Sequence, residues 1–115
     1  MANMIYGFTP THPGEVLKDE IEERGIQQKV LAESMGISYK VLNDILNERR
    51  PVTTDTAMMF EAALDIPATT LLQLQMKYNY QKAKNNPTLA ERVASIRKMA
   101  ASVLWWYVLG LEIRG

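Results

Sequence analysis

The stretch QKVLAESMGISYKVLNDILN, residues 28–47, decides the fold. Counting Gln28 as the first place, the small residue Ala32 falls fifth and Gly36 ninth, with Leu31, Met35, Ile37, Leu42 and Ile45 at the apolar places around them. Two short helices that cross steeply need a residue without a bulky side chain where they touch, and Ala32 meets that need. A tight turn between them demands positive φ, which Gly36 accepts. The spacing therefore predicts a helix-turn-helix, with helices over 27–35 and 38–47 and Ser38 as N-cap of the second. Its apolar places hold the second helix against the body of the domain. Tyr39, Lys40, Asn43, Asp44 and Asn47 are left facing outward, on a surface of the size that enters a DNA major groove.

Working outward, Pro13 fits the first turn of a preceding helix, Val16, Leu17 and Ile21 give it an apolar stripe, and Gly25 ends it. After the break at Arg49-Arg50-Pro51, Thr53 or Thr54 can cap a fourth helix whose Ala57, Phe60, Ala63 and Leu64 face inward. Pro67 opens a fifth through Leu71, Leu72, Leu74 and Tyr78. Asn85-Asn86-Pro87 is a breaker, and Thr88 starts a last helix through Leu89, Val93, Ile96 and Ala100. No strand pattern competes with the first five helices. The expected fold is all-α: a compact five-helix domain over residues 1–84 and an additional helical segment over residues 85–115.

Composition narrows the function. A chain of 115 residues that is 47% hydrophobic can bury one core and is too short for two ordinary domains. There is no cysteine, and one histidine, His12, cannot assemble a metal site alone. No cofactor and no metal are expected. The opening MANMIYGF lacks a basic flank followed by a long apolar run, so no secretory signal is expected, and a cytosolic protein is the simplest reading. The longest apolar stretch, 103–111, is far below the roughly 18 residues that span a bilayer.

Net charge is zero, which is unfavourable for a nucleic-acid binder, so its distribution carries the information. Residues 1–24 hold two basic and five acidic side chains, 25–50 four and three, 51–75 none and three, and 76–115 seven and two. Basic charge thus lies at the paired helices and toward the C-terminus. Glu15, Asp19, Glu20, Glu22 and Glu23 make the first helix acidic, either an ordinary solvated face or a surface for a basic partner.

The run HPGEVLKDEIEERGI, then LAESMGIS, LNDILNERRPVTTDTAMMFEAAL and LLQLQMKY resembles the HigA-type antitoxins of the Xre group of bacterial helix-turn-helix regulators, over about residues 12–84. His12-Pro13-Gly14-Glu15, the double arginine and Thr54-Asp55-Thr56-Ala57 are narrower signals than the helix-turn-helix alone. The resemblance implies a lambda-repressor-like domain in an antitoxin of a type II toxin-antitoxin system, one that binds an RNA-cleaving toxin protein and, as a dimer, represses its own operon. The chain departs from the pattern in two places. Glu48 stands where such proteins usually have glycine, and the C-terminus runs on beyond the basic helix.

Geometry sorts the candidate contacts to double-stranded operator DNA. Ser38, Tyr39, Lys40 and Asn43 lie nearest the groove floor: Lys40 can donate to guanine, Asn43 can pair with adenine, and Tyr39 can pack on a thymine methyl or reach a phosphate. Asp44 fits worst, because its carboxylate can accept only from a cytosine amino group and otherwise repels phosphate. Gln27, Gln28, Asn47, Arg49, Arg50 and Thr53 fit phosphate clamps. Arg49 and Arg50 could instead complement a helix dipole, and Asn47 could be a cap only. His12 is expected to cap or pack at the first helix.

No nucleophile, phosphate loop or paired-carboxylate motif points to an enzyme. The alternative to a regulator is a helix-turn-helix scaffold that serves only as a protein-interaction or engineered oligomerisation module. The tail MAASVLWWYVLGLEIRG favours some assembly in either case. Read as a helix from Thr88, its Val93, Ile96, Ala100, Val103 and Tyr107 recur near a 3.5 period, with Leu104, Trp105, Trp106 and Val108 widening the apolar surface. Residues 103–108 are therefore the expected interface of a homodimer or larger homo-oligomer, a helix being preferred to a strand and no membrane contact being expected.

Overall fold

The computed structural model describes the backbone of residues 11–114 and the side chains of residues 11–103. Six α-helices and no strand are present among the described residues: α1 Pro13–Glu23, α2 Gln28–Met35, α3 Tyr39–Leu46, α4 Thr54–Leu64, α5 Ala68–Lys84 and α6 Pro87–Arg114. The chain divides into two compact units, Met1–Tyr80 and Gln81–Gly115.

Helix boundaries in the first unit follow from local chemistry. Pro13 occupies the first turn of α1, where no amide hydrogen is needed, and the His12 Nδ1 accepts the Gly14 N–H at 2.9 Å. Ser38 Oγ accepts the Val41 N–H at 3.1 Å and starts α3. Of the two threonines that could cap α4, Thr53 does so. Its Oγ1 takes the Thr56 N–H at 3.2 Å, and the Thr56 Oγ1 takes the Thr53 N–H at 2.9 Å. The Glu61 carboxylate accepts the Ala68 N–H at 3.0 Å, which places negative charge on the positive end of α5.

Three successive helices end the same way. At Gly25, Gly36 and Glu48 the chain turns left-handed, with φ of 68°, 73° and 64°. In each case that residue's N–H returns to the carbonyl three back, and the next N–H to the carbonyl five back: Glu22 and Ile21, Glu33 and Ala32, Ile45 and Asp44. These are Schellman turns, which satisfy the orphan carbonyls of a helix end. Ile26 and Ile37 follow the two glycines and pack against the core. Arg49 follows Glu48 and does not.

The core gathers Leu17 and Ile21 of α1, Leu31 and Ala32 of α2, Leu42, Ile45 and Leu46 of α3, Val52, Ala57, Phe60 and Leu64 around α4, and Leu71 of α5. α3 packs on both α1 and α2, and α2 also packs on α4. Ala32 is 2% exposed, as a close helix crossing requires. Phe60 is the largest fully buried side chain and by area alone contributes about 2–3 kcal/mol. Two inward expectations are corrected: Val16 and Ala63 are exposed, because the neighbouring helices cover only part of each apolar stripe.

In the second unit the expected breaker stops α5 at Lys84, and the Asn86 side chain accepts the N–H groups of Thr88 and Leu89 to start α6. α6 runs as one helix through the tail, so helix and not strand is found there. No helix among the described residues is long and apolar enough to cross a membrane.

Candidate nucleic-acid interface

The N-terminal half of α3 carries the outward face. Tyr39, its first residue, is 46% exposed, and the Lys40 side chain is 82% exposed. Ser38 is exposed, but its hydroxyl already caps the helix. Thr53 is occupied in the same way at α4. Gln27 precedes α2 with an exposed side chain that makes no capping bond.

Asn43 is half-buried and bonded at both ends of its amide. Its Nδ2 donates to Gln28 Oε1 at 3.3 Å, and its Oδ1 accepts from Arg49 Nη2 at 2.9 Å. Gln28, at the start of α2, is thereby joined to α3 and to the loop after it. Asn47 closes the other end of α3: its Nδ2 donates to the Asn43 carbonyl at 2.8 Å, and its Oδ1 accepts from Lys18 Nζ at 3.2 Å. The capping alternative for Asn47 is thus present in the structure, since Asn47 bonds a carbonyl of its own helix. Lys18 was not among the expected site residues. Its spacing from Asn47 gives no sequence signal, since the contact depends on α1 crossing α3.

Asp44 is the centre of the charged cluster. Its carboxylate lies 3.2 Å from Lys40 Nζ, 3.1 Å from Arg49 Nε and 3.8 Å from Arg50 Nη2, and the side chain is only 13% exposed. Hydrogen bonds from Lys40 and then Arg49 hold its carboxyl below the ordinary value of 3.8, outweighing the upward push of burial. The Lys40 contact is a one-turn helical pair. The arginine contacts exist because the left-handed turn at Glu48 folds the chain back over the last turn of α3. Gln75 of α5 fixes the loop from its far end, its Oε1 accepting the Val52 N–H at 2.8 Å in a buried bond.

The structure thus brings Gln28, Lys40, Asn43, Asp44, Asn47, Arg49 and Arg50 into one connected surface, with Tyr39 beside it. Three cations surround one carboxylate. The excess of positive charge and the fixed amides suit a polyanion that also presents hydrogen-bonding edges. Of the expected interface residues in the tail, Val103 is 60% exposed, while the side chains of Leu104, Trp105, Trp106, Tyr107 and Val108 lie outside the described residues.

The fold that carries this surface is shared with known helix-turn-helix proteins. The helix-turn-helix family HTH_3 matches residues 17–71. Virulence-associated protein I of Dichelobacter nodosus is 30% identical over 76 residues, 65% of this chain and 70% of that protein. The antitoxin HigA of Pseudomonas aeruginosa, solved with the higBA promoter, is similar with a TM-score of 0.62 and 34% identity over 65% of this chain and 83% of that one. PA4674 of the same organism, solved in complex with its operator DNA, is 35% identical with a TM-score of 0.61, over 64% of this chain and 82% of that one.

Proposed function

Since the chain belongs to the HigA-type antitoxins of the Xre group of helix-turn-helix regulators, we propose that it is a sequence-specific DNA-binding repressor and the antitoxin of a type II toxin-antitoxin system. The observation that carries this reading is the connected surface on α3, where Tyr39 and Lys40 stand exposed beside an Asn43 amide held by Gln28 and Arg49. In this reading Tyr39, Lys40 and Asn43 read base edges, with Ser38 and Asp44 beside them. Gln27, Gln28, Asn47, Arg49, Arg50 and Thr53 face the phosphates. Residues 1–84 form the DNA-binding domain and residues 85–115 the oligomerisation segment of a bacterial cytoplasmic protein with no catalytic role.

A single recognition helix reads only a few base pairs, so repression of its own operon calls for a homodimer with two such helices about 34 Å apart. The exposed stripe Leu89, Val93, Ile96, Met99 and Val103 on α6 supports the assignment of the C-terminal segment to self-association. The second partner is an RNA-cleaving toxin protein.

The test is binding to the DNA upstream of its own gene across a salt series. A regulator loses affinity with a log-log slope of about −0.9 per phosphate contact. Weak binding that ignores salt sinks the reading. Copurification from the native host tests the toxin, and light scattering that finds a monomer at micromolar concentration removes the dimer.

A further inference from the structure

Asp44 is an acidic residue in the middle of a surface assigned to a polyanion, and its surroundings separate it from an ordinary solvent-exposed carboxylate. Its side chain is 13% exposed and meets three cations, Lys40 at 3.2 Å, Arg49 at 3.1 Å and Arg50 at 3.8 Å. Those are three of the cations through which the protein would hold a duplex. The backbone is arranged for the contact. The Arg49 N–H returns to the Asp44 carbonyl at 2.8 Å through the left-handed Glu48, so the same turn that ends α3 delivers the guanidinium to the carboxylate. Arg49 also donates to Asn43 Oδ1, which ties the amide to the cluster.

A carboxylate paired with these cations competes with a phosphate for them. We propose, resting on the DNA-binding reading above, that Asp44 is a positioning residue that sets specificity: an internal counter-ion that holds Lys40, Arg49 and Arg50 in place and must be displaced or matched by DNA. Random duplex offers phosphates at every step, but it places an adenine or cytosine amino group within reach of the carboxylate only by chance. Elsewhere it takes the cations at the cost of leaving Asp44 unpaired against like charge. The correct site offers acceptors for Lys40 and Asn43 together with a donor, such as a cytosine amino group, for the carboxylate. Asp44 therefore penalises random sequence more than the operator.

Because counterion release sets the salt dependence, the test is a pair of salt series, one on the DNA upstream of the gene and one on a random duplex of equal length. Asp44→Asn removes the charge at nearly constant shape. It is expected to tighten binding to random duplex about fivefold and to steepen the slope by about 0.9, one further phosphate neutralised. Operator binding should change less than twofold, so discrimination falls. Asp44→Glu, which keeps the charge, restores the wild-type slope. In a second arm, Lys40→Gln should flatten the slope less in the wild-type background than in the Asp44→Asn background, since only in the latter is the amine free of its internal partner. Unchanged random-duplex affinity and slope in Asp44→Asn, or equal Lys40→Gln effects in both backgrounds, overturns the proposal. Wild-type protein that binds no duplex at any salt removes the DNA-binding reading itself, a separate failure.

Discussion

The backbone of Gly14 in α1 lies directly under the Ile45 carbonyl of α3, so that a Cβ added at Gly14 would overlap the oxygen. A helical glycine usually weakens its helix, and exchange for alanine usually helps by about 1 kcal/mol. Here the sign reverses, because the atom in the way is main chain. Gly14→Ala should lower stability by about 2 kcal/mol as α1 and α3 are pushed apart, read as a lower urea midpoint at unchanged slope. A midpoint equal to or above that of the wild type would show that the two helices do not meet this closely.

Glu48 carries the opposite prediction. It holds φ of 64°, a conformation that costs a residue with a Cβ about 1 kcal/mol, at the position where the two preceding helix ends use glycine. Glu48→Gly should stabilise the fold by about 1 kcal/mol and raise the thermal midpoint by several degrees. Destabilisation would mean that the Glu48 side chain makes a contact that outweighs its backbone strain.

Lys40→Ala and Asn43→Ala should each weaken the operator complex by about 1–3 kcal/mol and weaken random duplex far less, measured by fluorescence anisotropy at one fixed salt concentration. Asn43→Ala changes no charge, so its loss on random duplex should be smaller than that of Lys40→Ala. Equal losses on both duplexes for both variants would move base reading to other side chains.

Gln75 bonds the Val52 N–H from a position 6% exposed, and its amide continues to Asn79. Gln75→Ala leaves that buried donor without its acceptor and should cost about 1–3 kcal/mol. Amide exchange at Val52 should accelerate with it. Slow exchange at Val52 in the variant would place the anchor of the arginine loop elsewhere.

The depressed carboxyl of Asp44 makes its contribution to stability pH-dependent. Lowering arises from its cationic neighbours, so the contribution is complete above the ordinary value of 3.8 and disappears as pH falls through the lower folded value. The difference in urea midpoint between wild type and Asp44→Asn should be constant from neutral pH down to about 4 and close below it. A difference that stays constant to pH 2 would assign the effect to shape and not to charge.

What could be read from sequence divides according to range. The cap at Ser38 and the turns at Gly25 and Gly36 were legible, and the cap of α4 was narrowed to Thr53 or Thr54, because each is satisfied within three to five residues. Leu42, Ile45, Phe60 and Leu71 were legible as core from helical period. Ala63 was misplaced because period gives a stripe's direction and not how much of it a neighbour covers. Asp44 was recognised as a poor partner for DNA, yet its actual partners were hidden. Arg49 and Arg50 fall outside the spacings at which helical side chains meet, and they reach the carboxylate only through the left-handed turn at Glu48. Gln75 reads as one more polar residue on a helix surface, and Val52, 23 positions earlier, has no reason in sequence to need it. Gly14 entered the sequence reading only as part of the His12-Pro13-Gly14-Glu15 run, because its need to lack a Cβ comes from α3 lying over it.

The cap of α1 has a practical consequence. His12 is the chain's one histidine, it is 2% exposed, and the Gly14 N–H donates to its Nδ1 while its ring stands edge-on to Tyr78 with centroids 4.7 Å apart. That bond requires a lone pair on Nδ1 and so selects the Nε2–H tautomer of the neutral ring. A single imidazole of defined tautomer, wedged where the first helix meets the fifth, is a built-in magnetic-resonance beacon. Its nitrogen shifts and ring-current displacement follow the seating of these two helices with no label chemistry beyond uniform isotope enrichment.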